Sequence, residues 1–336
     1  MIKYVLKRLL LMIPTLLGVL LIIFVINEMI PGDPAQLALG SNYTEEAYEE
    51  MVQEMGLDKN VVVRFVDYVV GVVTRFDLGT SYDSGREVSS LIAARLAVTL
   101  KLGILSCIVT IVAGVGIGIL SAVKKYTPID YIATSLAVFF GAAPGFWVGL
   151  MSMMIFSLWL GWLPAGGLRG WRYYILPVFC MAISPLSLTM RITRTSMLDV
   201  INQDYIRTAR AKGVEERKVV FSHALRNALI PVVTVCGTQL VMVVGGSFII
   251  ESVFSIPGIG MLLLNAINTR DYPTIQGTVL VLSFFVCVIN LATDIVYAYV
   301  DPRIKSQYMG GAYKRKEIKV EKKAQKAEKE GPDDET

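Results

Sequence analysis

Runs of about 20 mostly apolar residues constrain this chain more than anything else in it, because a helix of that length matches the hydrocarbon core of a bilayer. Six can be marked: about Leu9–Ile30, Val98–Val123, Tyr131–Leu160, Tyr173–Met190, Ala228–Ile250 and Ile275–Val300. The third is too long for one straight helix, and Pro144-Gly145 inside it predicts a kink. A length of 336 residues would allow two soluble domains, but 54% hydrophobic and only 18% charged residues exclude an ordinary soluble chain. The mean hydropathy of +0.56 says the same. The expected fold is an all-α polytopic membrane protein with six transmembrane helices.

Short basic segments set the orientation. Lys3, Lys7 and Arg8 flank the first run, Lys124 and Lys125 follow the second, and Arg191, Arg194, Arg207, Arg210, Lys212, Arg217, Lys218 and Arg226 crowd the segment after the fourth. All fall on one side if both termini are cytosolic, as the positive-inside rule requires. The first run follows basic residues but ends without a small-residue cleavage site, so it reads as a retained helix within residues 1–30.

Residues 31–97 then form an acid-rich extracytoplasmic module. Thr44 is placed to cap a helix with acids in its first turn and Gly56 at its end, and a second helix is expected over about Val61–Arg75. Residues 98–305 form a five-helix core containing a cytosolic loop at 191–230. The tail at 306–336 mixes charges with few apolar residues and reads as disordered.

Much chemistry is absent. His223 is the only histidine, so no two-histidine zinc motif exists, and it lies in the basic segment away from any embedded serine. There is no Gly-Lys dipeptide, hence no phosphate-binding loop of the Walker A kind. Cys107, Cys180, Cys236 and Cys287 each sit in a separate apolar run and read as small packing residues. Glu28, Lys101 and Glu251 near span ends, and Asp294 in the last run, suggest local pairing rather than an embedded charge pair. An ion-coupled carrier acting alone is the rival reading. Gly114, Gly116 and Gly118, and Gly141, Gly145 and Gly149, offer small faces for close helix approach, within the chain or between subunits.

The most informative polar segment is Asp204–Pro231, DYIRTARAKGVEERKVVFSHALRNALIP. Asp204 or Asn202 can cap a helix that ends at a left-handed Gly213, with Glu215 and Glu216 opening a second helix toward Arg226. Tyr205, Thr208, Ala209 and Lys212 share one face, small enough for another backbone to approach. An amphipathic helix lying on anionic lipid is the alternative, although the apolar face is poor in large side chains.

This segment resembles the coupling loop of ABC importer permeases, the helix-turn-helix that docks on an ATPase subunit. In the general pattern Glu-Ala-Ala stands four positions before the glycine; here Arg207-Thr208-Ala209 stands there, and Gly213 to Pro231 is longer than usual. Both departures are similar to the peptide and nickel branch, as are KRLLLMIPTLLGV, PGDPA, GLDKN, RFVDYV, DLGTS, SVFSIPGIG, INTRDYPTIQG and NLATDIVYAYVDPRI, in that order. The match is to the first permease of dipeptide and oligopeptide importers.

The resemblance implies the type I importer permease fold and a non-catalytic subunit. Asp204, Tyr205, Arg207, Thr208, Ala209, Arg210, Ala211, Lys212 and Gly213 would contact the ATPase, and Glu216, His223, Arg226, Asn227 and Pro231 would form the second half of the loop. Its implied partners are a second permease, two ATPases that bind the ATP and magnesium, an extracytoplasmic solute-binding protein and a peptide substrate. Membrane lipid surrounds it, and no nucleic acid takes part. Glu251, Pro257, Gly258 and Gly260 are expected at an outer gate built on a re-entrant turn. Specificity would rest mainly in the binding protein, so dipeptides, nickel, glutathione and sugar oligomers stay open.

Overall fold

The computed structural model describes residues 2–300 apart from residues 31, 41 and 42, so the charged tail lies outside the described residues. Among the described residues the architecture is helical. Five single helices are long and apolar enough to cross a membrane, and a sixth crossing is available to a bent pair.

The first long helix, α1 (Ile2–Met29), buries Leu20, Phe24 and Asn27 on one face and leaves its remaining apolar side chains largely bare. Three short helices follow. In α2 (Pro34–Leu39) the Asp33 carboxylate accepts the Ala35 amide at 2.8 Å. In α3 (Glu45–Glu54) Thr44 caps the start by accepting from Ala47 at 3.3 Å, and Gly56 closes the end at φ +63°. Asn60 caps α4 (Val61–Arg75), accepting from Val62 at 2.9 Å. The Thr44 cap, the Gly56 end and the Val61–Arg75 helix are those the sequence predicts, whereas α2 and the Asp33 and Asn60 caps add to them.

The module is fastened to the bundle rather than tethered to it. The ring of Phe24 meets Phe65 edge-on at 5.3 Å, and Arg64 pairs with Glu28 at 2.6 Å. Buried Asp271 accepts from the Ser81 hydroxyl at 2.5 Å, the Tyr82 amide at 3.0 Å and the Thr274 hydroxyl at 2.7 Å. Burial pushes the Tyr82 phenol up to about 12, and its hydroxyl donates to the Met55 carbonyl at 3.2 Å.

The longest helix, α5 (Val88–Val123), has 36 residues and spans about 54 Å, more than a hydrocarbon core. It starts ten residues before the expected Val98, because Val88 and Ile92 are buried against Ile259. Next, α6 (Pro128–Ala142) and α7 (Gly145–Ser152, continued as π-helix over Met153–Trp159) are bent by 107°. The expected kink is therefore a break. Ala143, which precedes a proline, is extended at ψ 132°, and so is Pro144, so no helical bond bridges them.

Helix α8 (Arg172–Ile201) runs well past the expected Met190 and contains Pro177 and Pro185. It lies very close to α5. A Cβ on Gly114 would sit 3.0 Å from Thr189, and one on Gly118 only 2.6 Å from Thr193 and 2.7 Å from the Met190 carbonyl oxygen. This glycine pair therefore serves packing inside the chain. Gly141 and Gly149 fall on opposite sides of the break and do not form one face: Gly141 approaches Ser187, Gly149 approaches Val253.

The chain closes with α9 (Asp204–Ala211), α10 (Glu216–Lys218), a π-helical stretch over Val219–Ala224, α11 (Leu225–Val253), α12 (Ile259–Thr269) and α13 (Tyr272–Val300). The bundle thus has a basic end, where α5 and α8 finish and α9 sits, and a module end. At the basic end Arg8 pairs with Asp294 at 2.9 Å. Toward the module end the Lys101 ammonium lies 4.4 Å from the centroid of the Tyr174 ring. Local pairing of these charges is as expected.

One charge pair the sequence did not suggest forms near the basic end. Asp130, buried in the first turn of α6, receives two bonds from Arg194 of α8, at 2.7 and 2.8 Å. Ser121 of α5 donates to it at 2.5 Å and the Tyr126 amide at 3.0 Å. Three helices thus converge on one carboxylate, at the basic end that Arg194 was expected to occupy.

Candidate functional site

The basic segment folds as two helices around a tight turn. Its first helix, α9, starts after Gln203, which is extended at ψ 151° and makes no side-chain cap. The expected cap by Asn202 or Asp204 is not formed. Asn202 belongs to the end of α8, donating to the Leu198 carbonyl at 2.9 Å, and Asp204 pairs with Arg207 one turn on at 3.7 Å.

The end of α9 is closed as expected. Gly213 stands at φ +75°, its N–H bonds the Arg210 carbonyl at 2.9 Å, and the Val214 N–H reaches back to the Ala209 carbonyl at 3.2 Å. That pair of bonds is the Schellman closure, completed by apolar contact of Val214 and Ala209 with the same cluster. Across the turn Arg210 grips Glu216 with two bonds, at 3.0 and 2.7 Å, and the Glu216 carboxylate pushes the guanidinium above its ordinary value. Asn227 donates to the Tyr205 hydroxyl at 2.8 Å, tying the first helix to the third turn of the second.

A residue that pattern reading passed over anchors the assembly. Ile206 is wholly buried among Met197, Val219, Val220, Ala224 and Ala228, with Ile119 and Ala122 of α5. The signal was there: Ile206 is the one large aliphatic side chain in QDYIRTARAKG. Around this anchor Tyr205, Arg207, Thr208, Arg210, Ala211, Lys212, Gly213, His223 and Arg226 are exposed and Ala209 is half-buried. The helix-turn-helix therefore presents a basic, small-featured surface on an apolar pin.

The second half differs from the expected short helix. It begins at Glu216, after Glu215, and then stays helical through the π-helical stretch into α11, with Pro231 inside the helix. About 55 Å of continuous helix thus joins Glu216 to Val253. Along it Asn227, Pro231, Thr234 and Thr238 recur at helical spacing on one exposed face.

At the far end of this helix lie the other predicted residues. Glu251 is fully buried. Its Oε1 accepts from the Thr99 hydroxyl of α5 at 2.6 Å; its Oε2 accepts from the Gly260 and Met261 amides of α12 at 2.8 and 3.3 Å. Thr99 in turn accepts from the Ile259 amide at 2.9 Å. Added side chains would collide: a Cβ on Gly258 would stand 2.3 Å from the Glu251 carboxyl carbon, and one on Gly260 2.5 Å from the Phe248 Cα. Pro257 lies exposed on the turn between α11 and α12. Glu251, Gly258 and Gly260 are brought together, then, whereas the residues of the Asp204–Arg226 segment and these gather at opposite ends of one helix. Thr99 was not singled out, because nothing local marks a threonine whose partners lie 152 and 160 positions away.

Residues 114–306 match the family model described as binding-protein-dependent transport system inner membrane component, and residues 1–103 match its N-terminal counterpart. The chain is 44% identical over 305 residues to the glutathione transport system permease protein GsiC of Salmonella typhimurium, covering 91% of this chain and 99% of that one. The Escherichia coli K12 protein of that name is 41% identical over the same length. Among solved structures, an inward-facing form of the MetNI methionine ABC transporter aligns at a TM-score of 0.53 and 21% identity, over 63% of this chain and 97% of that chain. The fold is thereby that of a type I ABC importer permease.

Proposed function

This chain belongs to the inner membrane components of binding-protein-dependent transport systems, and from that premise we propose that it forms half of the import pathway for small peptides. As a permease subunit of an ABC importer it is the non-catalytic membrane part. In this reading both termini are cytosolic, and ATP closes two partner ATPases against Asp204–Arg226. A second permease supplies the other half of the pathway. An extracytoplasmic binding protein delivers the substrate to the module end.

The observation that carries this reading is the preassembled helix-turn-helix. Its turn is closed by backbone bonds, it is pinned by Ile206, and it runs without interruption into α11. A lipid-lying helix needs a broad apolar face, and here the only large aliphatic residue of α9 is spent on the interior. The exposed stripe of Asn227, Thr234 and Thr238 suits a water-filled pathway better than lipid, with polar groups that meet a peptide backbone whatever its side chains.

The substrate class follows from chemistry shared with the relatives. Glutathione is itself a tripeptide, so relatives named for its transport fit a peptide carrier. Glutathione proper is the second reading, favoured by that 41–44% identity. Reconstitution with the partner subunits, with labelled dialanine and labelled glutathione as probes, separates the two by ATP-dependent uptake. Gly213→Val tests the coupling: ATP hydrolysis should continue while uptake falls. Unchanged uptake would sink the hinge, and uptake by this chain without ATPases would favour a carrier acting alone.

A further inference from the structure

One short helix has no part in the coupling described so far. Helix α12 is apolar and only 11 residues long, too short to cross a bilayer. It follows the end of α11 after a turn in which Ser255 adopts φ +49°. Its first amides have no helical acceptors, as in any helix. No side chain of its own caps it; Glu251 and Thr99, from α11 and α5, take that place.

The cap is a joint between elements. A carboxylate that takes a hydroxyl and two amides is held by charge-assisted bonds, shorter and roughly twice as strong as neutral ones. The joint is sealed from solvent, since Glu251 and Thr99 are both buried. Gly258 and Gly260 leave no side chain between α12 and the carboxylate, so the two backbones meet directly. The same Glu251 stands near the end of the helix that begins in the coupling segment.

We infer that Glu251 is a positioning residue that fixes α12 to the end of α11 and to α5, so that α12 moves with α11 as the outer closure of the pathway. This rests on the coupling proposed above. A displacement imposed on Glu216 travels along α11, and Glu251 passes it to α12. Without the carboxylate α11 would tilt and leave α12 behind. Thr99 makes the joint three-way, so α5 follows as well.

The test uses the full complex in lipid nanodiscs, spin-labelled at Ser89 of α5 and Asn268 of α12, both exposed. The intact protein should give one narrow distance with and without trapped ATP. Glu251→Gln turns an amide N–H toward the donors it now accepts from, and Thr99→Val removes the hydroxyl. Each should broaden the distance and cut uptake per ATP hydrolysed about tenfold, the worth of one hydrogen bond to a charged group. Thr99→Ser should restore both. A merely structural role would lower the yield of complex and leave the ratio of uptake to hydrolysis alone. Glu251→Gln with an unchanged distance and ratio overturns the inference. ATP-independent uptake by the intact complex would overturn the coupling reading instead, and the nucleotide-free distances would then still report the joint.

Discussion

Two turns stand at the two ends of the Glu216–Val253 helix, and each joins that helix to a short one. At the basic end Gly213 has nothing within 4 Å of where a Cβ would stand, and its neighbours Arg210 and Glu216 clasp each other in solvent. At the module end Gly258 and Gly260 have no room at all, and the clasp is a buried carboxylate. Glycine is needed in the first case for its backbone angle and in the second for its volume. A surface that must receive a partner has to be stiff and bare at once. A joint inside one chain can be sealed. On the function proposed above, the difference in packing follows a difference in task.

The largest expected effect challenges the simple form of this contrast, because the basic end also holds a buried charge. Asp130→Ala would strand Arg194, whose side chain keeps only 23% exposure, beside the empty space. Breaking such a pair from one side costs about 3–5 kcal/mol. The thermal midpoint of the chain in detergent should drop accordingly, whereas Asp130→Glu should recover part of the loss. A negligible change would mean that α6 is held by its apolar contacts alone, and the contrast between the two ends would stand in its simple form.

Next comes the module end. Gly260→Ala drives a methyl into the Phe248 backbone, and overpacking of this kind costs about 1–3 kcal/mol. The decisive comparison is with asparagine. At Gly213, where only φ matters, Gly213→Ala should cost about 1–2 kcal/mol and Gly213→Asn distinctly less, because asparagine visits the left-handed region with little strain. At Gly260 the order should invert, asparagine being worse than alanine because it is larger. The same rank order at both sites, read from thermal midpoints, would erase the distinction between the two turns.

How far the sequence reveals these two ends differs for a physical reason. The turn at Gly213 is local: acids after it, alanines before it and the glycine itself are all within a dozen residues, so its position and left-handed angle can be read directly. The Thr44 cap and the helix Val61–Arg75 are legible for the same cause. The module end is built from long-range pairs. Glu251 could be suspected from the Pro257 and glycine run that follows it, but Thr99 and the Ile259 amide could not be assigned to it. Residues 88–97 hid likewise, since Ser89, Ser90 and Arg95 interrupt the apolar pattern while packing on Ile259 makes the stretch helical. The break at Ala143-Pro144 was half visible: proline announced a disturbance, but its 107° size depends on two successive residues turning extended.

The smallest effect is the most pointed, because it separates stiffness from stability. Arg210→Ala removes a clasp whose side chains are 40% and 58% exposed, and a solvent-screened pair of that kind contributes less than about 1 kcal/mol. The Schellman closure and the Ile206 pin remain, so the fold and its thermal midpoint should hardly move. What the two parallel bonds add is direction, since they fix the angle between α9 and α10 on either side of Gly213. If that angle carries the push from an ATPase, uptake per ATP hydrolysed should fall a few-fold in Arg210→Ala at nearly unchanged stability. Glu216→Gln, which keeps the size and loses the charge, should behave in the same way. Loss of stability without loss of coupling would reverse the assignment and make the clasp an ordinary surface pair. The stiffness of the basic end would then come from its apolar pin alone, as the module end draws its own from a buried carboxylate.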